Sequence, residues 1–426
     1  MEKIFKILAN LKFAIALLLL ISITITFGSI IEQDQTLDYY KQNYPLTNPI
    51  GGFLTWKVIN MFQLNHIYKN FWFISLLLSL GISLIACTFF QQFPGIKFSR
   101  RCYFSNNPRK TDFQTQLKTN LSRNIIYTII SEGYFVFQQK KNFYGTKGII
   151  GRIAPVFVHL SIILILLGSI FASLGGFNSQ ELIGKGEIFH IQNVTSSGPL
   201  TKLSQQAIRV NDFWINYYPN NKIKQFYSNL SIINGDGQEV RSKTISVNKP
   251  LIYKDLTFYQ TDWNLLGLRI SHNNKNFQIP VIQTTQNLNK VWLTWLPLES
   301  NTSKNLSGET IIINNYKGTI YIYDNNGQLN KKIELSNFIE NKNYKLIEFL
   351  SVTGIQIKSD PGILFIYFGF GFLMVSTILS YLSFSQVWLG IDYLEQNNIK
   401  LTVNAKTNRT KVLLTTQMYK ITKNKR

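Results

Sequence analysis

IAPVFVHLSIILILLGSIFASL, Ile153 to Leu174, is a run of twenty-two apolar or small residues with one ionisable side chain, His159. About 20 such residues cross a bilayer as a helix. An ionisable group inside such a helix costs roughly 2 kcal/mol or more, so it is paired, liganded or functional. A neutral imidazole has two readings here. It hydrogen-bonds a neighbouring helix, or it ligates a metal such as haem iron. The residues alone leave both open.

Three more charge-free apolar runs share that length: Phe13–Ile31, Phe71–Phe90 and Ile363–Phe384. The first is too long for a signal-peptide core and no A-x-A-like site follows it, so it reads as a retained helix. The chain is therefore expected to be a multi-pass α-helical membrane protein with four transmembrane helices. The spans divide it into a terminus 1–12, span 13–31, loop 32–70, span 71–90, segment 91–152, span 153–174, region 175–361, span 363–384 and tail 387–426.

The formal charge of +22 invites a nucleic-acid reading, and its distribution opposes one. Residues 1–12 hold three basic and one acidic group, 91–152 eleven and two, and 387–426 eight and two. The region 175–361 holds nineteen and fourteen, and the loop 32–70 three of each. The basic excess alternates across the spans as the positive-inside rule requires. Both termini and 91–152 are expected on the cytoplasmic or stromal face, with 32–70 and 175–361 opposite. Anionic lipid contact is a secondary use of the charge. No DNA- or RNA-binding motif interrupts the pattern.

The region 175–361 alternates apolar and polar residues between turn clusters, which indicates a large all-β extracytoplasmic domain. FYSNLSIINGDGQEVRSKTISV reads as two strands around Gly235-Asp236-Gly237. LRISHNNKNFQIPVI reads as two strands around Asn273-Asn274-Lys275-Asn276, and GTIYIYDNNGQLNKKIEL as two around Asn325-Asn326-Gly327. NIIYTIISEGYFVFQQ, in 91–152, is rich in β-branched and aromatic residues and also reads as strand-like.

Catalytic signatures are missing. There is no G-x-S-x-G, H-E-x-x-H, P-loop or dinucleotide fingerprint. The two cysteines, Cys87 and Cys102, form no C-x-x-C or C-x-x-C-H, so neither a thiol–disulfide oxidoreductase nor a c-type cytochrome is expected. His66 reads as an interfacial or solvated histidine, His190 as a strand residue and His272 as a turn residue. Trp214, Trp263, Trp292 and Trp295 read as core or interface aromatics.

LKFAIALLLLISITITFGSIIEQ, FWFISLLLSLGISLIACTFFQQFPGIK, KGIIGRIAPVFVHLSIILILLGSI, VNDFWINYYPNNKIKQFYSNLSI, ISVNKPLIYKDLTFYQTDW and DPGILFIYFGFGFLMVSTILSYLSFSQVW occur in this order. With the four-span layout, these blocks make the chain resemble the ResB type of cytochrome c biogenesis protein, part of System II. The resemblance implies a membrane assembly factor without catalytic residues of its own, a subunit of a haem transfer and attachment complex. Its partner would be a CcsA-type membrane protein. Together they would bring haem across the membrane and present it to apocytochromes c. The implied cofactor is haem b, bound transiently and shared with the partner. The partner's Trp-rich haem motif is absent from this chain. His159 matches the family's third-span haem ligand, and its only metal role would be through haem iron. Heavy use of Asn, Ile and Lys fits an AT-rich plastid genome, so the expected compartment is the thylakoid membrane, β domain lumenal and termini stromal; a bacterial or cyanobacterial membrane is the alternative. Two competing readings are a membrane-tethered β-domain sensor without cofactor and a b-type electron carrier whose second histidine comes from a partner.

A helical projection at 100° per residue separates two faces of the third span. Pro155, Ile162, Ile163, Leu166 and Ile170 flank His159 as an apolar wall suited to a porphyrin. Arg152 falls on the same side, about 10 Å toward the cytoplasmic end at 1.5 Å per residue. It is a candidate for a haem propionate, although a positive-inside anchor is the preferred role. Ala154, Ser161, Gly168 and Ala172 form a small-residue stripe opposite, which is expected to pack on another helix of this chain or of the partner.

Overall fold

The computed structural model describes residues 2–104, 111–119, 122–220, 222–272, 275–286, 289–297, 308–317, 319–324, 326–334, 338–339, 344–393 and 399–423. The chain forms two compact units, Met1–Ser173 with Gly362–Arg426, and Leu174–Pro361.

Among the described residues, the first unit contains four helices long and apolar enough to cross a membrane. Span 1 is Leu11–Ile30, capped by the Asn10 side chain, which accepts from the Lys12 amide. Span 2 is Phe71–Cys87, capped in the same way by Asn70. It runs on through a π turn, Thr88–Gln92, into Phe93–Arg100. Span 3 is Ile150–Gly175 and span 4 is Ile363–Ser380. Leu17 and Ile21 of span 1 pack on Phe73, Leu77 and Leu80 of span 2, with Leu166 and Ile170 of span 3 against them. Residues such as Leu18, Leu19, Leu364, Phe368, Met374 and Ile378 stay exposed. In water such a surface would drive association; in a bilayer it is the lipid-facing side.

Spans 3 and 4 meet through glycine. Gly151, Ala154, Ser161 and Gly168 of span 3 are buried. A Cβ at Gly168 would lie 2.8 Å from Ile366 Cγ1 and 2.9 Å from the Gly362 carbonyl oxygen. Phe157 and Phe171 add ring contacts to Phe372 and Phe365. The small-residue stripe is thus an intramolecular contact, satisfied by span 4.

The same unit holds a five-stranded antiparallel sheet in the order 113–119, 399–407, 385–393, 142–147, 135–139. Two expectations are corrected here. Residues 387–426 are not a tail. They supply two strands and the helix Lys411–Lys423 to a core of Phe113, Val387, Leu389, Leu401, Val403 and Met418. The run from Asn124 does break at Gly133 as read, but its first half is not strand: Ser122–Ser131 is a helix, and Phe135–Gln139 and Asn142–Lys147 are strands. Ile125 and Ile129 are both buried while Tyr127 and Ile130 are exposed, a four-residue spacing that only a helix satisfies.

In the second unit, the described residues 177–361 contain strands and no α-helix. They form three antiparallel sheets of seven, five and four strands. Two long strands, Leu256–His272 and Tyr344–Ser359, pair along their length and centre the largest sheet. The three expected hairpins are present: 223–233 with 239–246, 256–272 with 275–280, and 319–323 with 329–334. Of their expected turns, Asn273, Asn274 and Asn325 lie outside the described residues. Two apolar cores fill this unit, one around Ile208, Leu230 and Phe258 and one around Trp263, Trp292 and Ile311.

Candidate functional site

His159 is half-buried on span 3, and both ring nitrogens have neighbours on span 2's extension. Thr88 Oγ1 lies 2.9 Å from Nδ1, and Gln92 Nε2 lies 3.4 Å from Nε2. Both side chains come from the π turn, where the Phe93 amide bonds the Thr88 carbonyl five residues back. Such turns interrupt helices most often at functional positions. The turn is fastened to the N-terminal segment. Gln91 Nε2 donates to the Ala9 carbonyl at 2.5 Å, and Ser83 Oγ donates to the Leu8 carbonyl at 2.7 Å.

A cavity of about 270 Å³ opens beside this turn, lined by Gln91, Gln92, Gly95, Arg152, Pro155 and Arg409 among others. Pro155 precedes His159 by one helical turn. Gly95 makes room for Arg152, because a Cβ there would lie 3.0 Å from Arg152 Nη2. Arg152 therefore faces a pocket that Gln92 connects to the imidazole. Arg409 was not visible as a site residue from sequence, since it sits in the stretch read as a basic tail. It follows the strand Ile399–Thr407, which returns the chain to the end of span 4. There Asn408 Oδ1 accepts from the Phe384 amide at 2.9 Å. Arg409 Nη1 donates to the Ser380 carbonyl at 2.8 Å, and its guanidinium lies 5.2 Å from the Tyr381 ring centroid. The site thus joins one imidazole, two guanidiniums and two side-chain amides at one end of the helix bundle.

The apolar wall is only partly available. Leu166 and Ile170 are taken up by packing on spans 1 and 2, whereas Pro155, Ile162 and Ile163 remain partly exposed. A flat ligand at His159 would meet the half of span 3 nearest Arg152.

The other histidines lie apart. His66, expected in solvent, is half-exposed but paired, with Nδ1 2.5 Å from Asp34 Oδ1. Lys69 Nζ holds the second Asp34 oxygen at 3.0 Å. His190 is exposed and follows the short strand Ile188–Phe189, so the expected strand role is corrected. His272 ends the strand Leu256–His272 rather than lying in the turn, and its side chain is outside the described residues. Trp263 and Trp292 are buried, as read; Trp214 stacks on Tyr227, and Trp295 is exposed. Among the described residues, no group of three or more His, Cys, Asp or Glu side chains could hold a metal ion. A cavity of about 630 Å³ lies in the β unit, lined by residues remote from His159 in sequence. Two of its charged pairs are closed: Lys185 bonds Asp212 at 2.7 Å, and Arg269 bonds Glu348. Glu187, which also lines it, accepts from the Gly184 amide at 2.8 Å.

Known proteins are similar along nearly the whole chain. A family model described as ResB-like matches residues 11–348. The Cytochrome c biogenesis protein Ccs1 of Phaeodactylum tricornutum is 46% identical over 428 residues, 99% of this chain and 100% of that one. Ccs1 of Trieres chinensis is 45% identical over 414 residues, 96% of each chain. The Cytochrome c biogenesis protein CcsB of Crocosphaera subtropica is 40% identical over 96% of this chain and 92% of its own. Among solved structures, the Cytochrome c Heme Lyase CcmF aligns over 72% of this chain and 30% of its own. Its 8% identity and TM-score of 0.25 carry no argument.

Proposed function

The chain belongs to the ResB-like family, and from that premise we propose that it is an assembly factor for c-type cytochromes. In this reading it works with a CcsA-type membrane partner to move haem across the membrane and present it to apocytochromes c. The observation that carries the reading is His159, an imidazole at membrane depth whose Nε2 faces Gln92 beside a pocket bearing Arg152 and Arg409.

The donor set suits haem b. One imidazole matches one axial position of the iron, and two guanidiniums match two propionates, the planar fork of arginine being well formed for carboxylates. A pocket of about 270 Å³ has room for the carboxylate end and not for a macrocycle. The ring would lie over Pro155, Ile162 and Ile163, which this chain leaves partly exposed. The described side chains bring a single histidine to this depth, so the second axial ligand would come from the partner. Haem supplies the vinyl groups to which apocytochrome thiols attach. What this chain's residues would do is hold, orient and screen: His159 would ligate the iron, Arg152 and Arg409 would neutralise the propionates, and the span surfaces would exclude water.

The charge distribution supports stromal termini and a lumenal β unit in a thylakoid membrane. The sheet built from 113–147 and 385–407 then lies on the stromal face, where haem arrives. An absorbance spectrum of the detergent-purified chain, with and without its partner, tests the reading. A Soret band that requires both His159 and the partner supports it. A chain that never carries haem in either state refutes it.

A further inference from the structure

Thr88 interrupts an apolar helix end and carries no charge, yet its hydroxyl touches the His159 ring at 2.9 Å. A threonine hydroxyl has one proton and two lone pairs. That proton donates to the Leu84 carbonyl at 2.8 Å, the usual four-residue back-bond of threonine in a helix. With that proton on Leu84, a lone pair faces His159, and Nδ1 is the side that carries hydrogen toward Thr88 and the nearby Leu84 carbonyl. A neutral imidazole protonated at Nδ1 has its free lone pair at Nε2. The Gln92 side-chain amide nitrogen stands 3.4 Å from Nε2 and, in this tautomer, is the donor to it.

The geometry points to a two-part device around the imidazole: Thr88 is a positioning residue that holds His159 in the tautomer whose Nε2 can ligate a metal, and Gln92 is a displaceable cap on that nitrogen. The inference rests on the reading of His159 as a ligand. Ligating histidines donate their second ring N–H to an oxygen, which fixes both tautomer and ring orientation. That acceptor is often a carboxylate. A hydroxyl does the same work here without placing a charge in an apolar span, where it would be costly. The Gln92 contact is long and neutral, hence weak, and the side chain lines the adjoining cavity into which it can turn. The π turn places both groups on the histidine from positions four residues apart, Thr88 on one ring nitrogen and Gln92 on the other.

The test uses the full chain purified with its partner and labelled with ¹⁵N-histidine, examined haem-free and haem-loaded. In the haem-free sample the His159 signal, assigned by its loss in His159→Ala, is expected to show hydrogen on Nδ1 and a bare Nε2. Thr88→Ser should keep that pattern, and Thr88→Val should redistribute hydrogen toward Nε2. In the loaded sample Thr88→Val should weaken haem binding about 10–100-fold and shift its midpoint potential, as loss of an outer-shell partner does. Thr88→Ser should restore both. Gln92→Ala should speed haem loading, and an unchanged loading rate overturns the cap. Hydrogen on Nε2 in the wild type overturns the inference. So does an unchanged tautomer and affinity in Thr88→Val while His159→Ala loses haem. Full haem retention in His159→Ala instead overturns the ligand reading on which the inference stands.

Discussion

Gly168→Ala adds one methyl group at the tightest point of the contact between spans 3 and 4. That methyl would lie 2.8 Å from Ile366 Cγ1, 2.9 Å from the Gly362 carbonyl oxygen and 3.0 Å from Phe365 Cβ. Carbon atoms pack best at about 3.5–4.0 Å, so each neighbour must yield by roughly half an ångström or more. Ile366 can rotate. The Gly362 carbonyl is backbone and moves only with the helix. Overpacking of this kind costs about 1–3 kcal/mol. Gly371 supplies the control, since a Cβ there meets nothing within 4 Å. Gly371→Ala should be neutral or gain up to about 1 kcal/mol of helix propensity. The assay is unfolding of the full chain in mixed micelles of rising SDS content. Gly168→Ala should unfold earlier than wild type and Gly371→Ala no earlier. Haem bound per folded chain should not change in either, because the stripe is on the face opposite His159. A Gly168→Ala variant as stable as Gly371→Ala would refute the close glycine contact.

Three other outcomes follow from particular contacts. Asp112 accepts from the Thr407 amide at 3.0 Å and pairs with Lys411 at 3.1 Å. The amide hydrogen bond first, then Lys411, holds its carboxyl below the ordinary range against the opposing effect of burial. A lowered folded value means its stabilisation is present above the usual carboxylate pKa of about 4 and is lost as pH falls through the folded value. Thermal scans of the 113–147/385–407 sheet should therefore be flat near neutrality and fall below about pH 4; Asp112→Asn should cost about 1 kcal/mol at pH 7 and lose part of that acid step. Arg152→Gln and Arg409→Gln should each weaken haem binding several-fold, the double variant more, measured by haem competition with apomyoglobin; full affinity in the double variant would remove the carboxylate role. Protease treatment of sealed vesicles should cut 91–152 and 175–361 from opposite faces, and cleavage of both from one face would contradict the topology.

The spans were legible because charge-free runs of this length have one physical outcome. His159 was legible for the same reason, as the lone ionisable side chain in such a run. The β unit's hairpins followed from turn clusters between alternating strands. The five-stranded sheet was not legible as a domain. Its first strand, Phe113–Thr119, pairs with Ile399–Thr407, with Phe113 opposite Ala405 across the whole β unit in sequence. Leu401, Val403 and Ala405 do alternate with Lys400, Thr402 and Asn404, so a strand signal existed there; nothing local announced its partner. The helix Ser122–Ser131 was hidden by β-branched residues, whose propensity gave way to the burial of Ile125 and Ile129 on one face. Arg409 depended on that sheet and was hidden with it. Thr88 and Gln92 carried no signal at all, since their meaning lies only in which ring nitrogen each one meets.

The central claim is that His159 holds haem. The most direct measurement is the absorbance spectrum of the chain co-purified with the proposed CcsA-type partner, wild type against His159→Ala, at matched protein level and with intact spans. Loss of the Soret band and of cytochrome c maturation, partly restored by added imidazole, is the predicted result. A His159→Ala complex with a full haem complement and normal maturation would contradict it, leaving the histidine as a hydrogen-bond partner between helices.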